Sequence, residues 1–130
     1  MTFIQWVGLS KLTYFSILKE AVMAYDEGLA QRVRQTLEDT SGLVEKKMFG
    51  GICFLLHGNM ACGIIKDDLI VRVGPDYLQS LKLPHTRQFD ITGRPMKGWV
   101  MVSHQGLDTD RALSVWVQRG ADFSLTLPPK

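Results

Sequence analysis

ICFLLHGNMACGIIKDDLIVRV, Ile52 to Val73, decides the fold. Its apolar runs are too short for ordinary helices and are separated by turn signals, which is the pattern of strands. Gly58-Asn59 places glycine first, as a type II′ hairpin loop requires, and Asp67-Asp68 supplies the next tight turn. The stretch predicts three antiparallel strands in a meander.

With Gly58-Asn59 as the loop, His57 opposes Met60, Leu55 opposes Cys62 and Cys53 opposes Ile64. One face then holds Cys53, Leu55, His57, Met60, Cys62, Ile64, Leu69, Val71 and Val73. The other holds Ile52, Phe54, Leu56, Ala61, Ile65 and Ile70, interrupted by Gly63 and Arg72. Both faces are apolar, unlike a sheet with one wet side. Two helices can cover one of them. The other calls for the remaining elements, residues 1–23 or another chain, so a protein partner or a homodimer is expected. A bulge in any strand would reshuffle these faces.

The flanks complete an α+β two-layer domain, with an antiparallel meander packed against N- and C-terminal helices. Asp26 caps a helix whose Leu29, Val33 and Leu37 recur at one face, and Gly42 stops it. VEKKMF, from Val44, reads as a further strand. Pro75 opens a short helix ending near Leu81. Strands follow near Phe89 and over Trp99–Ser103. Asp108 or Thr109 caps a last helix, with Leu113, Trp116, Val117 and Gly120 turned one way. Residues 1–22 are read as an N-terminal extension and 23–130 as the domain. Within the first segment Lys11–Met23 carries an amphipathic pattern through Leu12, Phe15, Leu18 and Val22.

The chain has 130 residues, 45% hydrophobic and 22% charged, which suits one soluble domain with its own core. A net charge of +2 is too small to define a nucleic-acid binder. Two cysteines exclude a disulfide scaffold, and no convincing signal peptide or membrane span is present; the expected location is the cytoplasm. In the register above, Cys53 and Cys62 share a face as diagonal neighbours about 7–8 Å apart, too far for a disulfide. Both are expected as reduced, buried thiols.

Little points to chemistry. His57, His85 and His104 are scattered, CxxC is absent, and neither GxGxxG nor GxxxxGK[ST] occurs. A zinc site from Cys53, Cys62 and His57 lacks a fourth ligand. Asp67, Asp68, Asp76, Asp108 and Asp110 fall where short acids cap and turn the backbone. The chain is read as a non-enzyme with no cofactor and no metal. Lys46, Lys47, Arg72, Arg94 and Lys97 are the candidate residues for an acidic partner or an anion. They would form one patch if the turns of KKMFGG and GRPMKG lay together. The simpler reading sets Lys46 and Lys47 alternating across an edge strand, which protects it from aggregation. Phe49 and Trp99 are candidate stacking aromatics if nucleic acid is bound; the simpler reading makes both core residues.

MAYDEGLAQRVR from Met23, then EKKMFGG, GNMACG, DDLIVRVGP, GRPMKGWV and a terminal TLPPK resemble the N-terminal domain of the TfoX/Sxy family. The resemblance runs from about Met23 to Lys130 and rests on the motifs in this order. It implies a compact α+β domain in a bacterial regulatory protein, akin to the competence regulators and to their small stand-alone relatives. The two-domain regulators carry a further C-terminal domain that has no match in these residues. The family transfers no catalytic residues; Met48, Phe49, Gly50, Gly51, Gly93, Pro95, Met96 and Gly98 are motif positions, together with the lysines and arginine between them. The expected function is regulation through protein contact. The alternative is weak nucleic-acid binding through the basic residues.

Overall fold

The structure is a computed structural model, and it describes residues 25–48, 50–90 and 93–130. Helix α1 spans Glu27–Leu37; Asp26 caps it, its carboxylate accepting from the Leu29 N–H at 3.1 Å. Strands β1 (Leu43–Met48), β2 (Gly51–Leu56), β3 (Asn59–Ile65) and β4 (Asp68–Arg72) follow as a meander. A 3-10 turn at Gly74–Asp76 leads into the short α2 (Tyr77–Ser80). Next come β5 (Thr86–Asp90), β6 (Pro95–Val102), a 3-10 turn at His104–Leu107 and α3 (Asp110–Leu125). Thr109 caps α3, its hydroxyl accepting from the Ala112 N–H at 3.1 Å. The sheet is antiparallel throughout, in the order β1-β2-β3-β4-β6-β5. The two-layer α+β reading holds, as do both predicted caps. The extension 1–22 lies outside the described residues.

The predicted register is corrected at the first hairpin. Leu56 pairs with Asn59 and Leu55 with Met60, so the loop is His57-Gly58, not Gly58-Asn59. Both loop residues have positive φ, 52° at His57 and 87° at Gly58, the requirement of a type I′ turn. A bulge then inserts Ala61, and beyond it Phe54 pairs with Cys62, Cys53 with Gly63 and Ile52 with Ile64. The next turn is Lys66-Asp67, with Ile65 paired to Asp68. That is a two-residue slip from expectation, which leaves the faces of β3 and β4 unchanged because side chains alternate with period two.

The bulge does change the faces. Cys53, Leu55 and Met60 do share one side, and Cys62, Ile64, Leu69, Val71 and Val73 do share one. These are opposite sides, because the extra residue reverses the parity between the two groups. The true core side joins Ile52, Phe54 and Leu56 to Cys62, Ile64, Leu69, Val71, Val100 and Val102. It packs on Leu29, Ala30, Val33 and Leu37 of α1 and on Leu113, Trp116, Val117 and Ala121 of α3. Tyr77 and Leu81 seal the α2 end of the same core. Burying such side chains contributes on the order of 1.5–3 kcal/mol each before the cost of ordering the chain.

Polar contacts fix the helices to this layer. Arg34 of α1 donates from Nη2 to Glu45 of β1 at 2.9 Å, and Arg32 donates to the Leu107 carbonyl at 2.8 Å. The chain enters α1 beside the β3–β4 turn, where the Asp26 N–H donates to the Lys66 carbonyl at 2.6 Å. At the far end the C-terminal segment folds back onto the first hairpin. The Lys130 N–H donates to the His57 carbonyl at 2.9 Å, and Asn59 donates from its amide to the Pro128 carbonyl at 2.9 Å.

Candidate functional site

The side of the sheet opposite the helices is the first candidate. Register and alternation place Cys53 and Leu55 of β2, Met60 of β3, Ile70 of β4 and Met101 and Trp99 of β6 on it. Phe89 of β5 joins them, its ring centroid 6.3 Å from that of Trp99. Cys53, Leu55, Ile70 and Phe89 are buried, yet they stand apart from the core that α1, α2 and α3 close. Met60, Trp99 and Met101 are half-buried around them, and Val44 on the edge strand is 51% exposed. The result is one apolar field running from β1 to β5.

Its borders are polar. Arg87 of β5 reaches past β6 to Asp68 of β4 at 2.6 Å, and also donates to the Ser103 hydroxyl at 3.0 Å. At the other end Arg72 pairs across the sheet with Trp99, its guanidinium carbon 5.3 Å from the Trp99 ring centroid and 5.6 Å from that of Phe123. A cation held between two aromatic rings keeps its charge while covering apolar surface. Arg72 thus interrupts the strand pattern as a border residue.

The five candidate cations do not converge. Lys46 and Lys47 are exposed and alternate across β1, which is an edge strand, as the simpler reading expects. Gly50, with φ 76°, turns the chain into β2; Phe49 lies outside the described residues. The Gly93 turn with Arg94 sits at the opposite corner, because β2, β3 and β4 separate β1 from β6 and the two turns cap opposite ends of the strands. Four strand spacings amount to about 19 Å, beyond the distance over which exposed charges reinforce one another in physiological salt. KKMFGG and GRPMKG are therefore separate features. Met48, Pro95 and Met96 mark the strand ends beside these turns, and Gly98 takes φ 90° where β6 passes Gly74.

The cysteines are corrected as well. Cys53 belongs to the second side and Cys62 to the helix-covered core, so the sheet itself lies between them and the trio with His57 never assembles. Both are free thiols, as expected. Burial pushes the Cys53 thiol up to about 11, and burial reinforced by Cys53 pushes Cys62 up to about 12. Thiols held this firmly protonated are poor nucleophiles and poor metal ligands. Among the described residues no three His, Cys, Asp or Glu side chains gather as a metal site, and no helix is long and apolar enough to cross a membrane.

Sequence reasoning missed Met101 and Phe89 as parts of the second side. The signal for Met101 was the alternation over Trp99–Val102, with Trp99 and Met101 on one side and Val100 and Val102 on the other, legible only once β6 is known to lie beside β4. With this layout established, the comparison with known proteins is decisive on family. The model of the TfoX N-terminal domain matches residues 35–124. The chain belongs to the TfoX N-terminal domain family. No curated protein and no solved structure matches it.

Proposed function

We propose that this chain is a small regulatory module that acts by protein contact, with no turnover of its own. The observation that carries the reading is the second side of the sheet. It is apolar from Val44 to Phe89, it faces away from all three helices, and its rim is polar. Cys53, Leu55, Ile70 and Phe89 at its centre are already out of solvent, so the apolar surface offered to a partner is the half-buried Met60, Trp99 and Met101 together with the exposed Val44, inside a polar border. The occupant is a protein partner or a second copy of the chain. The firmly protonated Cys53 thiol and the separated cations favour contact over chemistry at this location.

Affinity capture from native lysate tests it, with wild type compared against Met60→Glu plus Met101→Glu. Both positions are half-buried, so the fold tolerates the change better than at Ile70. A partner, or an extra copy of the chain, retained by wild type and lost from the variant supports the proposal. A chain that is alone and monomeric in both forms contradicts it.

Nucleic-acid binding is the second reading, and Arg72 beside Trp99 and Phe123 is its best support. The arrangement favours it less, since Lys46 and Lys47 cannot act with Arg94 and Lys97 on one short ligand.

A further inference from the structure

A different surface lies on the outer side of α3. The helix turns Leu113, Trp116, Val117 and Gly120 inward, which leaves Arg111, Val115 and Arg119 as an outer stripe at i, i+4 and i+8. Val115 is 44% exposed, and Leu83, on the segment before β5, is 37% exposed. The two residues line one groove of about 550 Å³, with Trp116 also in its lining.

Its charge is one-sided. The Arg119 guanidinium carbon lies 4.7 Å from the Trp116 ring centroid, so its charge is held over the groove by the indole. Among the described residues neither Arg111 nor Arg119 takes part in an ion pair. His85 adds an imidazole to the lining, and Asp108 is the carboxylate that opposes the two arginines. Two unpaired arginines bracketing exposed apolar side chains match a ligand with carboxylates at both ends of an apolar stripe. Residues 1–23 do not fit that description, since they carry Lys11 and Lys19 against Glu20.

We propose that this groove binds an acidic amphipathic helix of a partner protein. Arg111 and Arg119 pair with its carboxylates, while Val115, Leu83 and Trp116 receive its apolar side chains. Eight residues of α3 span about 12 Å, the length of roughly two helical turns of the partner. This surface is separate from the second side of the sheet and stands or falls independently of it.

The test uses the full chain and a fluorescent amphipathic peptide with leucines along one face and glutamates flanking them. A counterpart replaces the glutamates with lysines. Saturable binding of the glutamate peptide is expected. It should weaken by about tenfold or more on Arg111→Glu plus Arg119→Glu, and likewise on Val115→Asp, while Asp39→Asn, exposed and outside the groove, leaves it unchanged. Because Arg119 packs on Trp116, Arg111→Glu alone is the control for folding and should weaken binding by itself. Four results overturn the proposal. They are no binding of the glutamate peptide, equal binding of the lysine peptide, groove variants that bind as wild type does, and a competing single-stranded DNA or second copy that occupies the groove instead.

Discussion

Gly120, in the middle of α3, lies against the carbonyl of Ala61, the extra residue of the β3 bulge; a Cβ on Gly120 would overlap that oxygen. Helix and sheet approach this closely because one lacks a side chain where the other pushes its backbone outward.

Helix propensity alone says that Gly120→Ala should stabilise α3 by about 1 kcal/mol. The contact reverses the sign, and a loss of about 2–3 kcal/mol is expected from overpacking against backbone that cannot move aside. Thermal or urea unfolding of the variant measures it, and a gain in stability would show that α3 does not rest on the bulge.

Asn59 is 2% exposed and donates to the Pro128 carbonyl, while the Lys130 N–H satisfies the His57 carbonyl of the same hairpin. Asn59→Ala removes a buried donor and strands its partner, so a loss of about 1–3 kcal/mol is predicted. Gly58→Ala adds strain at φ 87° and a clash with Lys130, and should cost at least about 1 kcal/mol. Both are read from urea midpoints. Wild-type stability in either variant would contradict the docking of the C-terminal segment on the turn.

The two thiols give a signed pH dependence. Their folded values, about 11 and about 12, lie above the ordinary 9.0, so the unfolded chain releases these protons first. Their contribution is complete below pH 9 and is lost as the pH rises through the folded values. Cys62→Ala should therefore flatten the alkaline fall in the urea midpoint relative to wild type. At neutral pH a thiol reagent should modify neither residue quickly, and Cys53 should react ahead of Cys62. Rapid modification of Cys62 in the native chain would contradict its place in the core.

Because β2, β3 and β4 stand between Lys46 and Lys97, neutralising both should have additive effects on any anion bound by the chain. DNA affinity measured against salt for Lys46→Ala, Lys97→Ala and the double variant checks this. A coupling above about 0.5 kcal/mol would place the two lysines on one ligand.

Much of the architecture was legible because caps and periodicity are local. Asp26 and Thr109 announce their helices, Pro75 marks the 3-10 turn that leads into the short one, and β1 to β4 follow from apolar runs between turns. The bulge at Ala61 was not legible, since MAC carries no signal that one of three residues is unpaired. That single residue moved Cys62 across the sheet from Cys53 and dissolved their trio with His57 as a zinc site. The choice of His57-Gly58 over Gly58-Asn59 was equally hidden, because a histidine with φ 52° is uncommon without a neighbour to hold it. Here its ring lies against Gly42, where a Cβ would meet it at 2.6 Å. The separation of the two glycine-bearing turns needed the strand order, which depends on β6 inserting between β4 and β5.

Hydroxyl-radical footprinting of Met60 and Met101, in the isolated chain and in the complex recovered from lysate, tests the contact surface most directly. Both methionines should lose reactivity in the complex, while Met96 beyond the field keeps its own. Unchanged reactivity of Met60 and Met101 in a genuine complex would contradict the assignment of this side of the sheet as the place where the chain meets its partner.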